Sequence, residues 1–157
     1  MNVRLASADD ADVFAGLYAS VQTLHANAEP SIFKQPEPGV FTPRPVAEIL
    51  AQAGSAIFIA DDEGCPVGYL WATVQEQGAN AAVYARRYLA IEHIAVQSGY
   101  QRHGVGTALL THAKQYARSL GLSQIMLNSW SFNAGAHRFF ESQGFKVARL
   151  TFWAALD

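Results

Sequence analysis

Apolar positions along the chain follow two rhythms, one of three to four residues and one of two residues or a short continuous run. Their order predicts the architecture. Residues 3–5 predict a short strand, and Ser7, three residues ahead of Asp10, marks a helix start. The stripe Val13, Phe14, Leu17, Val21 and Leu24 carries that helix to about Leu24. Residues 28–45 hold all but one of the six prolines and predict a long loop, with a second helix from about Pro45 to Ala53 and Gly54 ending it. Residues 55–60 and 67–74 read as strands joined across Asp61-Asp62-Glu63-Gly64 in an antiparallel hairpin. Residues 75–80 form a polar turn, and 88–96 predict the next strand. Val105, Leu109, Ala113, Tyr116 and Leu120 keep helical spacing and Gly121 follows them. Then come a strand at 124–130, a helix at 134–143 closed by Gly144, and a last strand at 145–156. The order describes an α/β sandwich with a mixed sheet. No internal repeat, low-complexity tract or linker divides the chain, so residues 1–157 read as one domain.

Composition narrows the function classes. Half of the 157 residues are hydrophobic and 15% are charged, which suits a globular chain with a sizeable core. No apolar run approaches a membrane span and the first residues lack a signal-peptide pattern, so a cytoplasmic location is the default expectation. One cysteine, Cys65, leaves no intramolecular disulfide and no multi-thiolate metal site. With 11 Lys plus Arg against 13 Asp plus Glu, and Arg86-Arg87 as the only local basic pair, nucleic acid is not the expected partner. No His, Cys or Asp spacing amounts to a metal site, and Ser129 and Ser131 lack the glycines of a hydrolase elbow.

The segment Gln101-Arg102-His103-Gly104-Val105-Gly106 lies where a strand-like run gives way to a helical one. Such a junction exposes unpaired backbone N–H groups at the positive end of a helix dipole, and a phosphate or pyrophosphate fills it well. It lacks both the Gly-Lys-Ser/Thr ending of a Walker loop and the three glycines of a dinucleotide fingerprint. Gln-x-x-Gly-x-Gly resembles the acetyl-CoA loop of the GNAT superfamily of N-acetyltransferases, and the order of elements across residues 89–145 is similar to that family's. Downstream, Asn133-Ala134-Gly135-Ala136-His137-Arg138-Phe139-Phe140-Glu141-Ser142-Gln143-Gly144-Phe145 resembles the family's Asn-x-x-Ala-x-x-Phe-Tyr-x-x-x-Gly-Phe signature.

The resemblance implies a mixed, mostly antiparallel sheet with helices on both faces and a splay between two central parallel strands. It implies acetyl-CoA as co-substrate, its pyrophosphate on Gln101, Arg102, His103, Gly104, Val105, Gly106 and Thr107. The pantetheine amides would meet the backbone of Ile94, Ala95 and Val96. Asn133 caps its helix and, in relatives, also touches the cofactor; a cap alone needs no ligand. Relatives usually carry tyrosine where Phe140 stands, and its hydroxyl protonates the departing sulfur. Phenylalanine leaves either protonation by water, tolerable for a thiolate of pKa near ~8.5, or a chain that binds acyl-CoA and transfers slowly or not at all.

Acetyl transfer needs a neutral amine, and a lysine-like amine of pKa ~10.4 is neutral to only about one part in 10³ at pH 7, a penalty of roughly 4.6 kcal/mol. Glu92 occupies the position where many relatives place an acid, which makes it the candidate base. Strict alternation would put Glu92 on the apolar face of Ile94 and Val96, so either it lies at the open end of its strand or a bulge rotates it outward. The competing role is a surface acid paired with Arg86 or Arg87. His93 reads as a packed or surface histidine. His25, Phe33, Phe41 and Trp71 are candidates for the acceptor side, because the proline-rich segment falls where relatives cover the substrate. The resemblance implies an acetyl-CoA-dependent N-acetyltransferase acting on an amine of a small molecule or peptide, with a noncatalytic acyl-CoA-binding module as the alternative. The apolar stretch at 150–156 is compatible with a homodimer and equally with core packing.

Overall fold

A computed structural model describes residues 1–37, 43–154 and 156, with only the backbone of 43–46. Its strands are β1 (Asn2–Leu5), β2 (Ser55–Asp62), β3 (Cys65–Gln77), β4 (Arg86–Val96) and β5 (Ile125–Leu127). The helices are α1 (Ala11–Ala28), α2 (Pro43–Ala51), α3 (Val105–Ser119) and α4 (Ala134–Ser142). One sheet has the order β1-β2-β3-β4-β5; its first three pairings are antiparallel, and β4 with β5 is parallel. The expected mixed, mostly antiparallel sheet is therefore present.

Both faces of the sheet are covered, which is why β2 reads as an unbroken apolar run. Ala56, Phe58 and Ala60 pack with Leu70, Leu89, Ile91, Leu109, Leu110 and Phe140 beneath α3 and α4. Ile57 and Ile59 turn the other way and pack with Phe14, Leu17 and Tyr69 beneath α1, joined by Ile49 and Leu50 of α2. The β2–β3 hairpin closes tightly because Glu63 and Gly64 both take positive φ, 51° and 85°.

Several boundaries shift. A short 3₁₀ turn at Ala8–Asp10 precedes α1, and the helix runs on to Ala28. α2 begins at Pro43, so both of its prolines sit in the first turn, where a missing N–H costs nothing. Residues 38–42, Phe41 among them, lie outside the described residues.

The strand expected at 145–156 does not form: residues 145–154 carry no regular structure. A strand needs a partner, and β5, the sheet edge nearest in sequence, offers three residues that already pair with β4 on one side. Phe145 packs on the core, but the apolar residues after it stay in water, with Phe152 88% and Trp153 70% exposed.

Arg4 ties β1 to its surroundings. Its guanidinium donates to both oxygens of Asp10, each at 2.8 Å, and to Asp61 Oδ2 at 2.9 Å. The Asp10 carboxylate also accepts from the Ser7 N–H at 2.7 Å. Led by the Arg4 hydrogen bonds, these contacts lower the Asp10 pKa from 3.8 to about 2. A carboxyl whose folded pKa is depressed stabilises the fold fully above its unfolded value, and the contribution fades as pH falls through about 2. Because the Arg4 side chain is 40% exposed, screening reduces the effect to about 1–2 kcal/mol. Urea denaturation of Asp10→Asn should show that loss at pH 7 and a much smaller difference from wild type near pH 2; an equal loss at both would remove the ion pair from the account.

Candidate active site

β4 has a neighbour on both sides only over three residues near its middle. Leu89, Ala90 and Ile91 pair with Ile125, Met126 and Leu127 of β5, and beyond Ile91 that pairing stops. On its other side β4 stays paired with β3, His93 to Trp71 through Val96 to Gly68. The Gln97 N–H bonds to the Val67 carbonyl at 2.9 Å. Antiparallel alternation then turns the peptide groups of Ala95 toward Tyr69 on β3, and those of Ile94 and Val96 away from β3 into the gap. Gln101 reaches across the mouth of this gap, its Nε2 lying 3.4 Å from the Val96 carbonyl.

The loop after β4 supplies a second set of open backbone groups. Gly104, with φ of 84°, is the N-cap of α3, a conformation that disfavours any side chain, and Arg102 also takes positive φ, 63°. The first helical bond of α3 runs from the Ala108 N–H to the Gly104 carbonyl. Among the described residues, no acceptor meets the N–H groups from Arg102 to Thr107. They crowd at the positive end of a 15-residue helix, a concave set of donors suited to an anion. Val105 turns its side chain into the core, so its contribution to that set is its N–H alone. Gly106 serves packing as well, because a Cβ there would meet Phe139 Cζ at 2.9 Å.

A bulge decides where Glu92 points. The β3–β4 register slips between Trp71, opposite His93, and Ala72, opposite Ile91, which leaves Glu92 unpaired. Glu92 is exposed and accepts a hydrogen bond from the hydroxyl of Thr73, itself buried. Trp71, two residues from Thr73 along β3, packs in the α1-side cluster, so Glu92 comes to the same face as His93. Of the two expectations for this acid, the bulge is the one the fold uses. The arginines are engaged elsewhere, Arg86 with Gln77 at 2.7 Å and Arg87 with Glu76 at 2.9 Å, so the role of an acid paired with them is not taken.

His93 shares a 2.8 Å hydrogen bond through Nδ1 with the Tyr69 hydroxyl, and its ring stacks on Tyr18 at 4.7 Å. Burial, reinforced by nearby His25, lowers its pKa from 6.5 to about 4, and burial lowers that of His25 too. His25 stacks on Phe33 at 5.0 Å and stands 6.1 Å from His93. Trp71 faces His93 across the β3–β4 ladder and donates to Ser55 Oγ at 3.0 Å. Two rings from beyond β5 complete the group: Phe132 lies 5.9 Å from His25, and Trp130 lies 5.1 Å from Phe33. Sequence reasoning gathered His25, Phe33 and Trp71 but missed Trp130 and Phe132, because it extended β5 through Trp130. The alternation Trp130-Ser131-Phe132 just before the Asn133 cap was the available signal.

On the other side of the gap, Asn133 Oδ1 accepts from the Ala136 N–H at 3.1 Å and caps α4. Phe140 is buried against Phe145 and Phe139, ring centroids 5.8 and 5.5 Å away, so it is a core residue of the α3 face. Among the described residues no cluster of His, Cys, Asp or Glu could hold a metal ion. No described helix is long and apolar enough to cross a membrane. Two shallow depressions, one along Asn2, Arg4, Asp61 and Glu63 and one along Leu5, Phe58 and Tyr116, lie toward the β1 edge, away from the gap.

Comparison with known proteins places this arrangement. The family model described as the acetyltransferase (GNAT) family matches residues 21–145. Human N-acetyltransferase 8 is 28% identical over 110 residues, covering 68% of this chain and 47% of that protein, so the chain spans about half the length of the curated relatives it matches. Among solved structures, a tetramutant of the BH1408 protein from Bacillus halodurans superposes with a TM-score of 0.93 at 22% identity over 99% of this chain and 100% of that one. The aminoglycoside N-acetyltransferase AAC(6')-Iy, solved in complex with CoA, superposes with a TM-score of 0.75 at 15% identity over 99% of each chain. At these identities the solved structures establish the fold.

The lowered pKa of His93 makes the α1 face sensitive to acid. Unfolding exposes an imidazole that takes up a proton near pH 6.5, whereas the folded one resists until about 4, so stability should fall as pH drops through that window. The expected loss is on the order of 2–3 kcal/mol. Urea titrations between pH 7 and 4 should show this slope in wild type and a flatter one in His93→Asn; parallel slopes would show that His93 is not the group responsible.

Proposed function

Because the chain belongs to the acetyltransferase (GNAT) family, we propose that it is an N-acetyltransferase that moves an acetyl group from acetyl-CoA to the amine of a small molecule or peptide. The observation that carries this reading is the run of N–H groups from Arg102 to Thr107 without an internal acceptor, opening beside the unpaired β4 edge. Those N–H groups would hold the pyrophosphate, flanked by the side chains of Gln101, Arg102 and His103. Ile94 and Val96 would bond the pantetheine amides in the place β5 leaves vacant, with Ala95 between them. Asn133 would complete this side of the site, and Phe140, buried in the core of the α3 face, would border it from within. Two relatives agree with the reading: AAC(6')-Iy was solved with CoA, and the curated relative is named an N-acetyltransferase.

Acetyl-CoA, when bound, supplies the thioester that the amine attacks, forming a C–N bond as the C–S bond breaks and CoA leaves as thiolate. Glu92, on the α1 face at the bulge, takes the amine proton directly or through water and offsets part of the roughly 4.6 kcal/mol needed to present a neutral nitrogen. Its Thr73 hydrogen bond holds the carboxylate in place. His25, Phe33 and Trp71 would contact the acceptor. A second reading, a noncatalytic acyl-CoA-binding module, is favoured by one observation, the absence of a tyrosine hydroxyl at Phe140. Pairing of two copies through the apolar stretch at 150–156 belongs to this proposal as well, because it would remove Phe152 and Trp153 from water.

Calorimetric titration should show CoA binding to wild type and at least tenfold weaker binding to Gly104→Asp, which sets a carboxylate among the donors at a positive-φ position. Unchanged affinity in a folded variant would reject the loop as the cofactor site. Thiol release measured across a panel of amines tests catalysis. Glu92→Gln should lower turnover at pH 7 by about 10²-fold, leave CoA affinity unaltered, and lose less as pH approaches the amine's own pKa. A small, pH-independent loss would move the base elsewhere, and CoA binding with no release from any amine would leave the binding-module reading in its place.

A further inference from the structure

The rings on the α1 face form an ordered set. His25 and Phe33 lie nearly parallel, 23° apart, and Trp130 and Phe132 lie nearly parallel, 16° apart. The two pairs meet at steep angles, 80° between Phe33 and Trp130 and 71° between His25 and Phe132. They come from three separate parts of the chain: α1, the segment after it, and the stretch between β5 and α4. None of the four is fully buried, and Trp130 is 39% exposed, so this aromatic wall meets solvent. His25 joins it to His93, the residue next to Glu92. The wall thus lies on the same face of the sheet as the candidate base, and core packing does not account for its open rim.

We propose that this wall selects the acceptor, and that the acceptor is a primary amine carrying an aromatic ring, an arylalkylamine in chemical class, rather than a polyamine or an aminoglycoside. The inference rests on the acetyltransferase reading above. An incoming arene can stack on one exposed ring and meet the edge of another, the two arrangements that aromatic pairs prefer. A cation cage needs several ring faces turned to one point, whereas here the two pairs meet edge to face. Burial keeps His25 uncharged at neutral pH, which suits an apolar ligand.

Thiol release should be measured with phenethylamine, hexylamine, spermidine and kanamycin, in wild type, Trp130→Ala and Phe33→Leu. Wild type should prefer phenethylamine at least tenfold in kcat/KM over each of the other three. Both variants should raise KM for phenethylamine more than kcat falls and shrink its advantage over hexylamine. Trp130 lies outside regular structure and is exposed, so its loss leaves the fold intact, and CoA titration verifies this. Turnover with spermidine, kanamycin or hexylamine equal to or above that with phenethylamine would overturn the aromatic specificity and leave the acetyltransferase reading standing. If no amine releases CoA, the acetyltransferase reading fails. The wall is then judged by calorimetry of phenethylamine binding to the CoA-loaded protein, where binding lost in Trp130→Ala supports it and no binding to wild type rejects it.

Discussion

The site depends on one asymmetry in β4, which keeps β3 beside it to its last residue and loses β5 after Ile91. Backbone groups in a sheet interior need partners, and here an unbroken edge of them opens beside a helix N-terminus that also lacks partners. The two sets of unpaired groups define one slot. Had β5 followed β4 as far as Val96, five residues beyond Ile91, the Ile94 and Val96 peptides would pair inside the sheet and the slot would close.

The bulge at Glu92 is the second consequence of the same strand. One extra residue on β4 reverses the alternation, so that Leu89 and Ile91 before it and Ile94 and Val96 after it all face the α3 side. Glu92 and His93 are left together on the α1 face. Without it, alternation counted back from Ile94 and Val96 would direct the carboxylate into the apolar core beneath α3, where an isolated charge is costly, and alternation counted on from Leu89 and Ile91 would turn Ile94 and Val96 out of that core.

The two sides of the site use different chemistry. Toward the loop the groups proposed to act are backbone N–H and C=O, so side-chain identity matters chiefly where glycine is required, at Gly104 for its φ and at Gly106 for the approach of Phe139. Toward α1 the proposed acceptor side is made of side chains, His25, Phe33, His93, Trp130 and Phe132, and nothing in the backbone fixes their kind. A fold built this way can hold its donor side constant while the acceptor side varies.

Local signals made much of the chain legible. Helical spacing gave α1, α3 and α4, alternating and continuous apolar runs gave β2, β3 and β4, and the glycine pair of the Gln101–Gly106 segment marked the loop, because each rests on residues close in sequence. The resemblance carried by that segment and by Asn133–Phe145 anticipated the mixed sheet and its splay. The last strand was misread, since an apolar run indicates what needs burial without saying whether a neighbour exists to bury it; beyond Phe145, which packs on the core, residues 146–154 stay exposed. The face of Glu92 was undecidable for the same reason, as a bulge is a relation between two strands and β3 slips against β4 only once both are paired. The aromatic wall joins residues about a hundred positions apart, and only the closing of α1 and the β5–α4 segment over one face of the sheet brings their rings within 6 Å of each other.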